Sequence, residues 1–337
     1  LIYGGLYVIF TTMRKKIIQG TMITAAAAAV LLSACAETVL EAKTSDPGTT
    51  WVADEDRGRV YKVGVGGAAV KATSPDLGRP SAVIFDPYKG YCWVTDADGG
   101  RVFRLSARAV VEKTLYGFGE PVAMAFSPKE SSVWVVDGLN GKIYKLTERG
   151  TIRAELAGLD NPAAAAVDPT NGDVYVACAS TIVRCDRQGN KIQTFYGYDR
   201  PAALAFDGGS GRLWVADTGN GRIVRVSPTG NVLAVSTELA APDSIAVNTG
   251  TGVCFAADSA AGRIVSLKAN GTLRWSNEDF AEPTALAANT YDMSLWVADS
   301  YAFEISKLEG STGEAGDYDS VSGFSRPVAL YSDPGLR

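Results

Sequence analysis

At 337 residues, with 46% hydrophobic and 20% charged side chains, the chain is too apolar for disorder and long enough for one large all-β domain or two ordinary ones. Thirty-six glycines suit many short strands joined by tight turns. The balance of 32 basic to 37 acidic residues without a long basic run argues against a phosphate-tracking surface, and the absence of histidine excludes an imidazole base, a Ser-His-Asp triad and a histidine-held zinc.

The first element is an address. Met13 opens a basic start of Arg14, Lys15 and Lys16, an apolar run follows from Ile23 to Leu32, and Ser33-Ala34-Cys35 closes it. A basic start, a short apolar stretch and small residues before a cut define a signal peptide, and the run is short for a membrane span. Leu32-Ser33-Ala34-Cys35 resembles the lipobox of bacterial lipoproteins, with Cys35 as the acylated residue. That resemblance implies a diacylglyceryl group on the thiol and a further acyl chain on the new amino terminus, and two or more chains give stable anchoring. Ala36 is similar to the outer-membrane default. The organisation expected is therefore an upstream extension over 1–12, a signal peptide over 13–34, a lipidated tether over 35–48 and a domain over 49–334. The domain would be held at a bacterial outer membrane, facing the periplasm or the cell surface. Loss of the first 34 residues removes three basic and no acidic groups, leaving 29 basic against 37 acidic, or −8.

From residue 49 the chain repeats itself. Aromatics recur at Trp51, Trp93, Trp134, Tyr175, Trp214, Phe255 and Trp296, at gaps of 42, 41, 41, 39, 41 and 41 residues. Prolines recur in step at Pro80, Pro121, Pro162, Pro201, Pro242, Pro283 and Pro327. Each unit supplies four short strands; in the clearest copy these are Ala202 to Phe206, Arg212 to Ala216, Arg222 to Val226 and Val232 to Ser236, with turn-rich links between them. One four-stranded sheet leaves its faces bare, whereas a ring of sheets covers them, so the pattern predicts an all-β, seven-bladed β-propeller of antiparallel blades. The first unit starts at a second strand, Thr50 to Ala53, and the last segment, Pro327 to Asp333, reads as an inner strand. The two should complete one blade and close the ring.

The unit Pro-x-x-hydrophobic-Ala-hydrophobic-Asp, then Gly-x-hydrophobic-Trp-Val-Ala-Asp, then Asn-Gly-Arg-Ile resembles the NHL-type propeller repeat and its streptogramin-lyase-like relatives. Ala202 to Val226 and Val122 to Leu146 match most closely. The resemblance implies the fold; its members serve as binding platforms, scaffolds and, in some branches, enzymes.

Three groups of residues invite chemistry. Asp54, Asp96, Asp137, Asp217, Asp258 and Asp299 end second strands, with Cys178 in the seventh place. They read first as structural, accepting hydrogen bonds from the turn that follows and facing Arg59, Arg101, Lys142, Arg222 and Arg263; the competing reading is a metal or cationic ligand near the axis. Large apolar residues stand three before each proline. Around them Tyr116, Phe118 and Glu120 in one unit, and Tyr196, Tyr198, Asp199 and Arg200 in another, depart from the repeat and form a candidate binding face. Cys92, Cys178, Cys185 and Cys254 read as buried thiols, since Cys178 falls at the tip and Cys185 at the base of one hairpin, beyond disulfide reach.

The leading expectation for function is a non-catalytic ligand- or protein-binding, scaffolding propeller rather than an enzyme, because the lyases it resembles rely on histidine and the chain has none. Its partners would be the membrane, through lipid, and a protein, peptide or glycan; no nucleic acid is expected, no cofactor is required, and the domain is expected to be monomeric. The alternative is a carboxylate-metal-dependent hydrolase or lyase of lactonase-like type, with calcium or a similar divalent ion and side chains such as Asn140, Asn161, Asp243 and Asp279.

Overall fold

The computed structural model describes residues 49–64, 70–290 and 292–332. The signal peptide, Cys35, the tether and the proposed domain end at 334 lie outside the described residues. The rest is seven four-stranded antiparallel sheets. Blade 1 takes its inner strand from the far end of the chain, Pro327–Ser332; blades 2 to 7 are consecutive, with inner strands at Pro80–Asp86, Pro121–Ser127, Ala164–Val167, Pro201–Asp207, Pro242–Asn248 and Pro283–Ala288. Proline at the first residue of a strand loses no ladder hydrogen bond, which is why six of these strands begin on one.

Closure follows the predicted pairing. Thr50 stands opposite Ser332, Trp51 opposite Tyr331 and Val52 opposite Leu330, and Thr50 Oγ1 donates to the Tyr331 carbonyl at 3.1 Å. Second strands are the most buried, as in Ser294–Asp299, where all six residues are inside. Packing runs between blades: Trp214, Ala216 and Ile223 of blade 5 lie against Ile245, Cys254, Ala256 and Leu267 of blade 6. Val52 and Val63 of blade 1 meet Ala285, Trp296 and Ile305 of blade 7, so the junction between the ends is packed like the others. Cys92, Cys178, Cys185 and Cys254 are free and buried. Cys185 pairs with Val174 at the hairpin base, while the Cys178 N–H donates to Thr181 at its tip.

A second series accompanies the aromatics. Directly across the ladder from Trp51, Trp134, Tyr175, Trp214 and Trp296 stand Lys62, Lys145, Arg184, Arg225 and Lys307. Their cationic heads lie 5.3–5.9 Å from those ring centroids. Arg104, opposite Trp93, stands 4.1 Å over Tyr91 instead. Several heads continue into the next blade: Lys145 Nζ donates to the Arg187 carbonyl at 2.7 Å, Arg184 Nη1 to that of Pro228 at 2.8 Å, and Arg225 Nη1 to that of Ala269 at 3.2 Å. Each such residue fastens its own aromatic and the neighbouring blade at once. Blade 6 lacks the device, for Phe255 faces Ser266.

Candidate functional site

The acidic ring is built into the frame. Asp54 accepts from the N–H groups of Ser325 and Arg326, Asp137 from Gly119 and Glu120, Asp258 from Ala240 and Ala241, and Asp299 from Ala281 and Glu282, at 2.7–3.1 Å. Asp96 and Asp217 accept from Arg79 and Asp199 in the same way. These donors lie in the connection leading into each blade's inner strand, an addition to the following-turn donors that sequence alone suggests. Arg101, Arg222 and Arg263 pair with Asp96, Asp217 and Asp258 at 2.6, 2.7 and 3.1 Å. Two expected counter-charges go elsewhere: Arg59 donates to the Ser74 carbonyl and Lys142 pairs with Glu155. In blade 4 the Asp160 N–H faces the Cys178 sulfur, and burial pushes that thiol up to about 11.

The two irregular loops sit on blades 2 and 4, with blade 3 between them. Tyr116 and Tyr196 are 74% and 79% exposed at the ends of outer strands. Phe118 packs edge-on against Tyr144 of blade 3, with centroids 5.3 Å apart. Tyr198 is buried in the core between blades 4 and 5, and burial pushes its phenol up to about 12. Glu120 gives its N–H to Asp137 and its carbonyl to the Gly138 N–H. Asp199 and Arg200 are exposed and adjacent, 3.5 Å between Oδ1 and Nε, with Arg200 at φ 46°.

A different residue stands out at the mouth of the axis. Most inner strands carry a bulge directly after the proline, which detaches one residue from the ladder. The residues following the seven prolines are Ser81, Val122, Ala163, Ala202, Asp243, Thr284 and Val328, so Asp243 alone is ionisable. Ser81 and Thr284 donate to the proline carbonyl of the next blade at 2.9 and 3.1 Å. A carboxylate cannot donate, and Asp243 Oδ1 is buried with no hydrogen-bond partner. Burial pushes this carboxyl up to about 6, against a hydrogen bond from Ser259, with the charges of Asp258 and Glu282 adding to the rise.

A cavity of about 510 Å³ is lined by Ser259, Ala260, Ala281, Glu282 and Tyr301; Asp243 reaches it only through its hydrogen bond from Ser259 and is not itself in the wall. No basic side chain lines it. Asp299 holds the Glu282 backbone in place, so the structural ring positions a residue of the cavity wall. A comparable cavity of about 520 Å³ between blades 1 and 2 is charged but internally neutralised: Arg79 pairs with Glu55 and Asp98, Arg326 with Glu55, and Arg101 with Asp96. The cavity therefore has a wall residue, Ser259, that is hydrogen-bonded to a carboxyl raised to about 6. The sequence carried the signal as the one odd member of a seven-fold position.

The residues do not fit a resident divalent metal. Among the described residues no group of three or more Asp, Glu or Cys side chains is placed to hold one. The ring carboxylates are spent on backbone N–H groups and arginines, and Asn140 donates to Asp137 rather than joining Asp243.

No protein family is matched by the sequence, and no curated protein is similar to it. The fold, however, is shared with solved structures that include streptogramin lyases. A streptogramin B lyase is similar at 15% identity and TM-score 0.66, over 84% of this chain and 91% of that one. A catalytically inactive histidine-to-alanine variant of virginiamycin B lyase from Staphylococcus aureus, with quinupristin, is similar at 16% identity and TM-score 0.63, over 74% and 87%. A functionally unknown protein from Desulfotomaculum acetoxidans is similar at 15% identity and TM-score 0.73, over 86% and 100%.

These findings correct the expectation of a non-catalytic binding or scaffolding propeller, and with it the expectation that the chain is not an enzyme. Structures of a streptogramin B lyase and of virginiamycin B lyase are among those similar in fold. Lack of histidine excludes imidazole chemistry and leaves acid–base chemistry by carboxyls open. Burial of a carboxyl moves its titration towards neutrality, and Asp243 is buried in that way.

Proposed function

We propose that the chain is a lyase-type enzyme in which Asp243 is the general base. The observation that supports the reading is a carboxyl raised to about 6 and hydrogen-bonded to Ser259, a residue of the cavity wall. At pH 7 such a group is mostly ionised yet basic enough to take a proton, the balance general-base catalysis needs. The substrate would carry an acidic C–H next to an ester or alkoxy leaving group. Asp243 takes the proton, the C–H electron pair becomes the new C=C bond, and the leaving oxygen departs with its bonding pair. The proton on Asp243 then passes to that oxygen, directly or through water. Tyr301, 71% exposed on the cavity wall, offers a face for the substrate body. Likeness in fold to a virginiamycin B lyase solved with quinupristin makes quinupristin the first compound to test.

Quinupristin and a panel of cyclic esters should be incubated with the chain from pH 5 to pH 9 and followed by mass spectrometry. Ring opening by elimination leaves the mass unchanged and adds a double bond; hydrolysis adds one water. We expect elimination, rising with pH through about 6 and falling roughly 10²–10⁴-fold in Asp243→Asn. Conversion untouched by that substitution sinks the assignment, as does failure of every compound in the panel.

The place of action in this reading is the bacterial envelope, through lipid on Cys35. Cys35→Ser should move the chain from the membrane fraction to the soluble one and remove the mass of the acyl groups. An unchanged distribution would remove the anchor from the proposal and leave the chemistry untouched.

A further inference from the structure

The two ends of the propeller differ in charge. Strands alternate in direction within each blade, so the Asp ring and the connections into inner strands share one end, and the turns between third and fourth strands lie at the other. At the Asp-ring end Asp56, Asp76, Asp160, Glu238, Asp279 and Glu282 are exposed and have no ion pair among the described residues. At the opposite end the turns between third and fourth strands carry Arg108, Arg149, Arg187 and Lys268, which are exposed and likewise lack an ion pair among the described residues. The acids beside them are occupied: Glu148 pairs with Lys89 at 3.2 Å, and Asp186 accepts from the N–H groups of Gln188 and Asn190 at 2.8 Å.

The end that carries these cations also carries an aliphatic rim. Val70, Val110, Ile152, Ile192, Val232 and Leu273 stand at or beside the first residue of the outer strand in blades 1 to 6, and they are 47–60% exposed. One exposed aliphatic needs no explanation, but the same feature on six successive blades makes a ring at one level. Blade 7 departs in both respects: its hairpin carries the exposed Glu309 and Glu314, and its outer strand opens on Ala315-Gly316. The chain enters the fold here too. Thr50–Asp54 is a second strand, so Thr49 and the proposed tether 35–48 join blade 1 at this end. Lipid on Cys35 would hold it within at most about 50 Å of a bilayer.

We propose that this end of the propeller lies on a bilayer with anionic head groups, the rim aliphatics of blades 2 to 6 at head-group level and the four hairpin cations against the lipid phosphates. Apolar burial and attraction to anionic lipid add together in binding of this kind. The rival face has exposed Tyr116, Leu139 and Tyr196, but they stand at the end of the unpaired acids, which anionic lipid repels. The inference rests on the anchor reading for its nearby membrane and is independent of the lyase reading. Lipid retains the domain, and the face orients it. The cavity at Glu282 and Tyr301 then opens away from the bilayer.

The test uses the chain as purified from membranes, placed in vesicles of phosphatidylcholine with roughly one-third phosphatidylglycerol. The acyl chains carry bromine, a contact quencher of tryptophan. After subtraction of the parent's own tryptophans, Val232→Trp on the rim should be quenched at least about threefold more than Leu139→Trp at the opposite end. Ile152→Trp is a second rim probe at an exposed site, should Val232→Trp fold poorly. Joint Arg149→Glu and Arg187→Glu should lower the rim quenching at least about twofold. Equal quenching at the two ends overturns the proposal and leaves the anchor standing, and so does rim quenching indifferent to the charge reversals. A chain that does not float with the vesicles overturns the anchor and the proposal together.

Discussion

Asp243→Asn should melt about 5 °C higher than the parent at pH 8 and at the same temperature at pH 4. The carboxyl has an ordinary value of 3.8 and is raised to about 6 in the fold. A group raised on folding binds its proton more tightly in the native state, so ionisation costs stability. Below pH 4 the carboxyl is neutral in both states and the penalty is absent; it grows between about 4 and 6 and is complete above that window. Two pKa units correspond to about 3 kcal/mol, and a domain of this size gains roughly 2 °C per kcal/mol. Asparagine keeps the shape and never ionises, so it escapes the penalty. Differential scanning fluorimetry across pH measures this directly. A melting difference that ignores pH would show that the carboxyl is not held in the raised state. Joined with loss of turnover, a more stable variant would mark Asp243 as a residue kept for chemistry at the expense of the fold.

The second large effect belongs to the frame. Lys145→Met should cost roughly 2–4 kcal/mol, because Lys145 is 2% exposed and satisfies three partners at once. It pairs with Glu130, donates to the Arg187 carbonyl and lies 5.3 Å over the Trp134 ring. Methionine fills the volume and restores none of these contacts. Urea unfolding of parent and variant reads the difference, and a loss below about 0.5 kcal/mol would reduce the contact to surface decoration. Combining the substitution with Trp134→Leu in a double-mutant cycle separates the ring contact from the bond to blade 4.

What was legible in the sequence was what repeats. The Trp and Pro series gave the blade count, and Pro327 to Tyr331 against Thr50 to Ala53 gave the closing pair, because each rests on local pattern and on the need to cover both faces of a sheet. The cations over the aromatics were legible too: Lys62, Arg104, Lys145, Arg225 and Lys307 each follow their Trp by eleven residues. Their targets were not, since the Arg187, Pro228 and Ala269 carbonyls belong to other blades and meet them only after the ring forms. Asp243 could be seen as an odd residue, but its raised carboxyl depends on the bulge at Pro242 and on burial against Ser259, which no spacing reveals. In the irregular loops at Tyr116 and Tyr198, the sequence did not separate the packed residues, Phe118 and Tyr198, from the exposed ones, Tyr116 and Tyr196, because that depends on the neighbouring blade.

The pairing of Thr50–Asp54 with Pro327–Ser332 also sets an order of events. During synthesis the first three strands of blade 1 emerge before the other six blades, and the strand that covers the edge of Trp51, Val52 and Ala53 emerges after them. Until Pro327–Ser332 arrives an apolar edge stays open, a template for pairing with any other chain. The closing strand thus does double duty, completing the ring and shielding the one edge that the order of synthesis leaves bare longest.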